Sequence, residues 1–295
     1  MKQKIIFCLP GNELLAGTLS EKANVERGKL TMRRFPDGET YIKIDSQVAG
    51  KEVLLICTLH QPDDKLLPLY FLAKTLKEFG AIRITLVAPY LAYMRQDTRF
   101  QHGESITSEW FAKLLSSFVD ELITIDPHLH RKSNLAEIYS IPTHILHAAP
   151  LLSSWIKANI PNAVLIGPDS ESEQWVSEVA NAADVPYVVL EKTRKGDKDV
   201  QVSVPHLDGK ADKTPVLVDD IISTARTMIE TIGHLKNANF NAPVCIGVHG
   251  IFAEDAYLLL RQSGAAQIIT VNTIPHETNK IFIEELLLTA LQSKT

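Results

Sequence analysis

Cysteine is scarce in this sequence, and its few copies exclude two chemistries. Cys8, Cys57 and Cys245 are the three cysteines in 295 residues. An odd number, widely spaced and set in apolar runs, forms neither a disulfide framework nor the paired spacing of a zinc site. They read as buried, reduced thiols of a cytoplasmic protein. Long apolar runs are missing too, so no stretch approaches a membrane span. The apolar run at residues 5–9 is too short for the core of a secretory signal and leads straight into Pro10-Gly11. No extended basic run occurs, and the formal net charge is -5, which argues against a nucleic-acid binder. The remainder is ordinary for a soluble globular chain, with 45% hydrophobic and 22% charged residues.

The length suggests two domains. Residues 4–9, 53–57, 82–89 and 122–125 read as short buried strands, and helices are predicted over 13–23, from 62 onwards and from 107 onwards. Leu14, Leu15 and Leu19 are expected on the inner face of the first helix. Ile106, Trp110, Leu114, Phe118 and Val119 are expected on the inner face of the third, with Thr107 as its cap. Pro142 and Ala148-Ala149-Pro150 mark a division into domains 1–145 and 146–295. Beyond it, strands are predicted at 163–166, 186–190, 244–248 and 268–272, with a closing helix at 282–291. A helix after residue 170 carries Trp175, Val176, Val179 and Ala180 inward, and Ser170 with Glu173 could form a capping box. Val53 to Cys57 with its following helix faintly echoes the run beginning at Val216. The expected fold is therefore α/β, with two similar tandem domains, each a mainly parallel sheet flanked by helices.

The richest stretch is Val216-Leu217-Val218-Asp219-Asp220-Ile221-Ile222-Ser223-Thr224-Ala225-Arg226-Thr227. A buried strand ends in two carboxylates, a loop of small hydroxyl residues follows, and an amphipathic helix begins. Backbone N–H groups and the helix dipole at such a junction make an anion site. Carboxylates at the strand end can accept hydrogen bonds from vicinal hydroxyls or hold a hard cation. Phosphate on one side and a diol on the other describe a sugar phosphate. The pair alone is equally compatible with a helix start bearing two solvated aspartates.

Other polar segments follow strand ends or turns. Phe35-Pro36-Asp37-Gly38-Glu39 is turn chemistry before the alternating Tyr41-Ile42-Lys43-Ile44. Arg95-Gln96-Asp97-Thr98-Arg99 places guanidinium groups where they can pair with a triphosphate. Asp126-Pro127-His128 sets an acid and an imidazole at a strand end, suited to a metal-linked phosphate. Lys192-Thr193-Arg194 belongs to a charged run that reads as a solvated, unstructured loop, the form a water-excluding lid requires.

Taken in order, these segments resemble the ribose-phosphate pyrophosphokinases, or PRPP synthetases, whose two domains have the phosphoribosyltransferase fold. The resemblance covers essentially the whole chain. It implies transfer of the diphosphoryl group of MgATP to the anomeric hydroxyl of ribose 5-phosphate, giving PRPP (phosphoribosyl diphosphate) and AMP. By it, Asp219 and Asp220 bind the ribose hydroxyls, while Ser223, Thr224, Ala225, Arg226 and Thr227 hold the 5-phosphate. Phe35, Asp37 and Glu39 surround adenine, reaching in from a neighbouring subunit of a homo-oligomer. Arg95, Gln96 and Asp97 contact ATP, His128 and Asp169 lie beside Mg²⁺, and Lys192 and Arg194 close over the transferring phosphates. Two departures stand out. Arg226 replaces a glycine of the family's phosphate loop, so either the loop is built differently or the guanidinium itself reaches the phosphate. The glycine pair often found after Asp169 is missing, as in the archaeal-like branch. A transferase that consumes PRPP would share residues 219–227 but leave the N-terminal motifs unused. A non-catalytic regulatory paralogue would share the fold.

Overall fold

Alternating apolar runs and amphipathic segments become strands and helices in the computed structural model, which describes residues 3–129, 131–167, 172–195, 199–203 and 212–292, with 191–203 as backbone course alone. The chain forms two units, one of residues up to Leu146 plus those from Glu284, the other from His147 to Ile283. The first runs β1 (Lys4–Cys8), α1 (Glu13–Ala23), β2 (Glu26–Arg27), β3 (Leu30–Arg34), β4 (Thr40–Ile44), β5 (Glu52–Ile56), α2 (Asp63–Glu78), β6 (Arg83–Ala88), α3 (Thr107–Ser116), β7 (Glu121–Ile125), a 3-10 turn (Leu135–Glu137) and β8 (Thr143–Leu146). The second runs α4 (Ala149–Asn159), β9 (Ala163–Gly167), α5 (Glu173–Ala183), β10 (Tyr187–Val189), β11 (Glu191–Lys195), β12 (Asp199–Ser203), β13 (Thr214–Ile222), α6 (Arg226–Asn237), β14 (Val244–Gly250), α7 (Ala256–Gln262), β15 (Gln267–Val271) and β16 (Asn279–Ile281). Helix α8 (Glu284–Gln292) belongs with the first unit. The division read at 145/146 thus lies beside the Leu146/His147 junction, with α8 on the other side of it.

Each unit is built on a six-stranded sheet, ordered β2-β1-β5-β6-β7-β8 in the first and β10-β9-β13-β14-β15-β16 in the second. All described pairings in both sheets are parallel. Counted by occurrence among the sheet strands, both orders are 2-1-3-4-5-6. In both, an antiparallel hairpin, β3–β4 or β11–β12, leaves the sheet between its second and third strand. The faint repeat in the sequence is therefore a repeat of topology. Winding reverses between the first and third sheet strands, and their carboxyl ends open the crevice where ligands bind in open α/β sheets.

Parallel strands are covered on both faces, so they need continuous apolar runs. Every residue of β7, β9 and β14 is buried. Full burial of a leucine such as Leu55 or Leu165 contributes roughly 1.5–3 kcal/mol relative to exposure. At the amino ends of β6, β7 and β8, buried Glu121 accepts from Thr85 Oγ1 at 2.8 Å, pairs with Arg83 at 3.1 Å and meets His144 Nε2 at 2.7 Å. That cluster staples strands on the edge opposite the ligand crevices.

Some local expectations shift. Leu14 is 84% exposed, because α1 buries Leu15, Ala16 and Leu19, and Leu14 lies one residue, about 100°, away from that stripe. Trp110 is 63% exposed and Leu114 is also outside, because α3 buries Ser108, Phe111, Ala112 and Leu115. Thr107 is the first residue of α3, not its cap, and its hydroxyl donates to Gln96 Oε1 at 3.2 Å. Ser170 lies outside the described residues, and the cap position of α5 is Ser172. Residues 191–195, read as an unstructured loop, form a strand whose partners Val200 and Val202 oppose Arg194 and Lys192. β-branched residues at 193, 200 and 202 favour that pairing despite the charge.

Candidate active site

In the second unit the crevice edge is the end of β13. Val216, Val218, Ile221 and Ile222 are buried, whereas Asp219 and Asp220 between them are half-exposed. Asp219 sits opposite Gly247 of β14. A Cβ at Gly247 would lie 2.6 Å from Cγ1 of Ile222, so only glycine lets Ile222 pack and brings β13 to its end in this register. Beside the pair, His249 is buried in β14 opposite Ile221. The Thr273 hydroxyl donates to the Val248 carbonyl at 2.8 Å, so at 2.9 Å it accepts from His249 Nδ1–H and sets that tautomer.

After Ile222 the chain turns through Ser223 and Thr224 into α6. Ala225 adopts the left-handed conformation, with φ 56° and ψ 9°, and its methyl packs in the core of this unit. Arg226 is the first residue of α6 and has ordinary helical backbone. The glycine-like conformation therefore falls on Ala225, one residue before the substitution, and Arg226 is exposed at the helix start. Position 226 therefore takes a backbone conformation that does not call for glycine. Position 225 has no side-chain cap bond, and no carboxylate stands in the first turn of α6. The leading N–H groups of a helix lack intrahelical partners, so they and the dipole are suited to a phosphate here. Ser223 and Thr227 are half-exposed and Thr224 exposed along this turn.

The residues expected at a diphosphate divide by position. Lys192 and Arg194 occupy alternate places on β11, opposite Val202 and Val200. Asp169 lies outside the described residues, in the connection after β9.

In the first unit the hairpin tip is ordered by its own backbone. Phe35 N–H donates to the Glu39 carbonyl at 2.8 Å, Gly38 N–H to the Phe35 carbonyl at 2.9 Å, and Glu39 N–H to Asp37 Oδ1 at 3.2 Å. Gly38 takes φ 92°, which its missing Cβ permits. The Arg33 guanidinium lies 4.7 Å over the Phe35 ring and 4.3 Å over Tyr41, while those rings meet edge to face at 5.8 Å. Phe35, Asp37 and Glu39 are exposed at the tip, where an aromatic face and acceptor groups suit a purine.

The loop after β6 carries the next group. It turns at Tyr93, with φ 60°, and the Tyr93 hydroxyl donates to Asp63. Gln96 is anchored to the start of α3 by Thr107 and by Ser108 N–H, which donates to the Gln96 carbonyl at 3.3 Å. Asp97 has a side chain only 5% exposed and pairs with Arg131 at 3.0 Å. Arg131 follows the Asp126-Pro127-His128 segment, so the pair joins the connections after β6 and β7. Arg131 was not singled out in the sequence, and only its nearness to His128 hinted at it. Asp126, at the end of β7, takes φ 35° and donates its N–H to the Leu146 carbonyl at 3.0 Å. His128 is half-exposed just beyond. Non-glycine residues with positive φ at strand ends are strained, and such positions cluster at functional loops.

Among the described residues no three His, Cys, Asp or Glu side chains gather as a metal cage. Mg²⁺ keeps several waters and is commonly bound through one or two protein groups plus substrate phosphates. The available set, Asp126 and His128, fits an ion brought by a nucleotide.

Comparison with known proteins returns the same outline. Residues 4–118 match the model of the N-terminal domain of ribose phosphate pyrophosphokinase, and residues 134–285 match that of the phosphoribosyl transferase domain. The chain is 32% identical over 264 residues to a ribose-phosphate pyrophosphokinase of Sulfolobus acidocaldarius, covering 88% of this chain and 89% of that protein. It is 30% identical to that of Methanothermobacter thermautotrophicus, covering 96% and 98%. The crystal structure of phosphoribosylpyrophosphate synthetase from Mycobacterium smegmatis superposes with a TM-score of 0.85 at 25% identity, covering 99% of each chain.

Proposed function

The chain belongs to the ribose-phosphate pyrophosphokinase family, and from that premise we propose how its residues divide the work of making PRPP from ribose 5-phosphate and ATP. The anomeric hydroxyl of the sugar attacks the β-phosphorus of ATP. A new bond forms from that oxygen to the β-phosphorus, and the bond between the β-phosphorus and the oxygen bridging to the α-phosphorus breaks. The hydroxyl proton is released and AMP leaves, so a diphosphoryl group moves as one piece.

Phosphoryl transfer asks mainly for positioning and charge neutralisation. Asp219 and Asp220 orient the ribose through its hydroxyls, and the turn at residues 223–227 holds the 5-phosphate on the α6 N–H groups with Thr224 and Thr227. Arg95, Gln96 and Asp97 serve the ATP side, with Asp97 acting through Arg131. Phe35, Asp37 and Glu39 receive adenine. The exposed hairpin tip supports a homo-oligomer in which it completes a neighbour's site. Lys192 and Arg194, on the β11–β12 hairpin, neutralise charge on the moving diphosphate and on AMP. Magnesium would be held by Asp126 and His128 with the nucleotide phosphates, where it would neutralise phosphate charge. No helix among the described residues is long and apolar enough to cross a membrane, and the free cysteines suit a reducing cytoplasm.

One observation carries the assignment of the acceptor side. A diacid strand end runs directly into a helix start that has neither a side-chain cap nor a carboxylate in its first turn. Resolving the nucleotides after incubation with ribose 5-phosphate and MgATP tests the whole. AMP and PRPP in equal amounts are expected. ADP would indicate a simple kinase, and no turnover would favour a PRPP-consuming transferase or a regulatory subunit.

A further inference from the structure

A second loop is tied to the phosphate turn. β14 ends at Gly250, beside Ile222, and residues 251–253 cross the exit of β13. The N–H groups of Ile251 and Phe252 both donate to the Ile222 carbonyl at 3.0 Å, and Ala253 N–H donates to the Ser223 carbonyl at 3.1 Å. These are the last carbonyls before Thr224. Reaching them bends the loop sharply, for Phe252 (φ 48°) and Glu254 (φ 53°) are both left-handed without being glycine. Left-handed backbone is disfavoured for a residue with a Cβ and persists only where its surroundings hold it.

Ring packing does the holding. The Phe252 ring lies 4.6 Å from His276 and 5.4 Å from Tyr257, and Tyr257 lies 4.9 Å from His276. His276 is itself fixed, its Nδ1 accepting from Thr278 N–H at 3.3 Å. The Phe252 ring also covers Gly250, where a Cβ would stand 2.7 Å from Cε2 of the ring. The first unit offers a parallel. There the loop after the fourth sheet strand, β6, carries Arg95, Gln96 and Asp97. Its Tyr90 carbonyl accepts from Leu59 N–H at 2.9 Å, in the loop after the third strand, β5. In both units the loop after the fourth strand is bonded to the loop after the third. In the first it bears nucleotide residues, and in the second no role attaches to it.

We propose that Phe252 is a positioning residue for the sugar phosphate: seated on Gly250 and flanked by Tyr257 and His276, it holds the N–H groups of residues 251–253 against Ile222 and Ser223 and so fixes the phosphate turn. This rests on residues 219–227 being the ribose 5-phosphate site. The test is steady-state kinetics with each substrate varied, together with equilibrium binding of ribose 5-phosphate in the absence of ATP. Phe252→Ala is expected to raise KM and Kd for ribose 5-phosphate about ten- to hundredfold, since displacements near 1 Å have effects of that order. KM for ATP should stay within about twofold of the parent. Gly250→Ala, which displaces the ring from the other side, should do the same. Phe252→Leu, which keeps most of the volume, should lie between and serves if the alanine variant does not fold. Unchanged ribose 5-phosphate affinity in a folded variant, or an equal rise in both KM values, would overturn the inference while leaving the enzyme's activity established. A parent chain that neither binds ribose 5-phosphate nor forms AMP would overturn both.

Discussion

Replacing Arg131 by alanine isolates one joint of the ATP side. Its guanidinium is 3.0 Å from Asp97 and 5.2 Å over the Phe100 ring, so it braces the loop after β6 from the connection after β7. The carboxylate is almost wholly covered, while the arginine side chain is 52% exposed. Breaking a fully buried pair costs about 3–5 kcal/mol; water around a half-exposed arginine reduces this to ~1–2 kcal/mol. Without its partner, the Asp97 carboxylate must draw in water or swing out, and either motion displaces Gln96 and Arg95. If the cost is met on nucleotide binding, KM for ATP rises about five- to thirtyfold, at tenfold per 1.4 kcal/mol. Initial rates with ATP varied at saturating ribose 5-phosphate measure it, and the reverse titration is the control. Asp97→Asn removes the same charge pair, so the double variant should fall short of additivity. An ATP KM at the parent value, or an equal shift for the sugar phosphate, would refute the brace.

Lys192→Ala should lower kcat about a hundred- to thousandfold, the usual loss for one donor to a developing charge, with little change in KM for ribose 5-phosphate; parental kcat in steady-state assays would remove Lys192 from the transfer step. His60 gives a pH prediction. Burial, then the Lys65 charge 3.0 Å from its Nδ1, pushes its imidazole down to about 4. A depressed histidine favours the fold above its ordinary value near 6.5, and that contribution is lost as pH falls towards 4. Solvent screening of this half-exposed group leaves ~1–2 kcal/mol. The fall in Tm between neutral pH and about pH 4.5 should therefore be smaller in His60→Gln than in the parent, and equal losses in thermal melts would contradict the sign.

What the sequence made legible is local chemistry placed at strand ends. Asp219 and Asp220 stood out because carboxylates interrupted an apolar run and a small-residue loop followed. Phe35 to Glu39 stood out through turn residues. Hidden features depend on partners far along the chain. Nothing near Asp97 announces Arg131, and nothing near Lys192 announces Val202 as its strand neighbour. Arg226 shows a subtler limit. The family resemblance flagged the residue that replaces a glycine, whereas the backbone places the left-handed turn on Ala225. Helix faces failed at Leu14 and Trp110 because in a short helix two stripes one residue apart are almost equally apolar.

Helix α8 carries a consequence for synthesis. Its Glu285 pairs with Lys22 of α1 at 2.5 Å, its Leu291 carbonyl accepts from Lys4 at 3.4 Å, and Leu287, Leu288 and Leu291 are buried. The first unit is translated first, yet it lacks this cover until residues 284–292 leave the ribosome. The whole second unit is made in the interval. A chain stopped after Ile283 would keep every residue of the second unit and leave the apolar seat of α8 open in the first. Premature stops there should therefore damage handling of ATP while sparing recognition of the sugar phosphate.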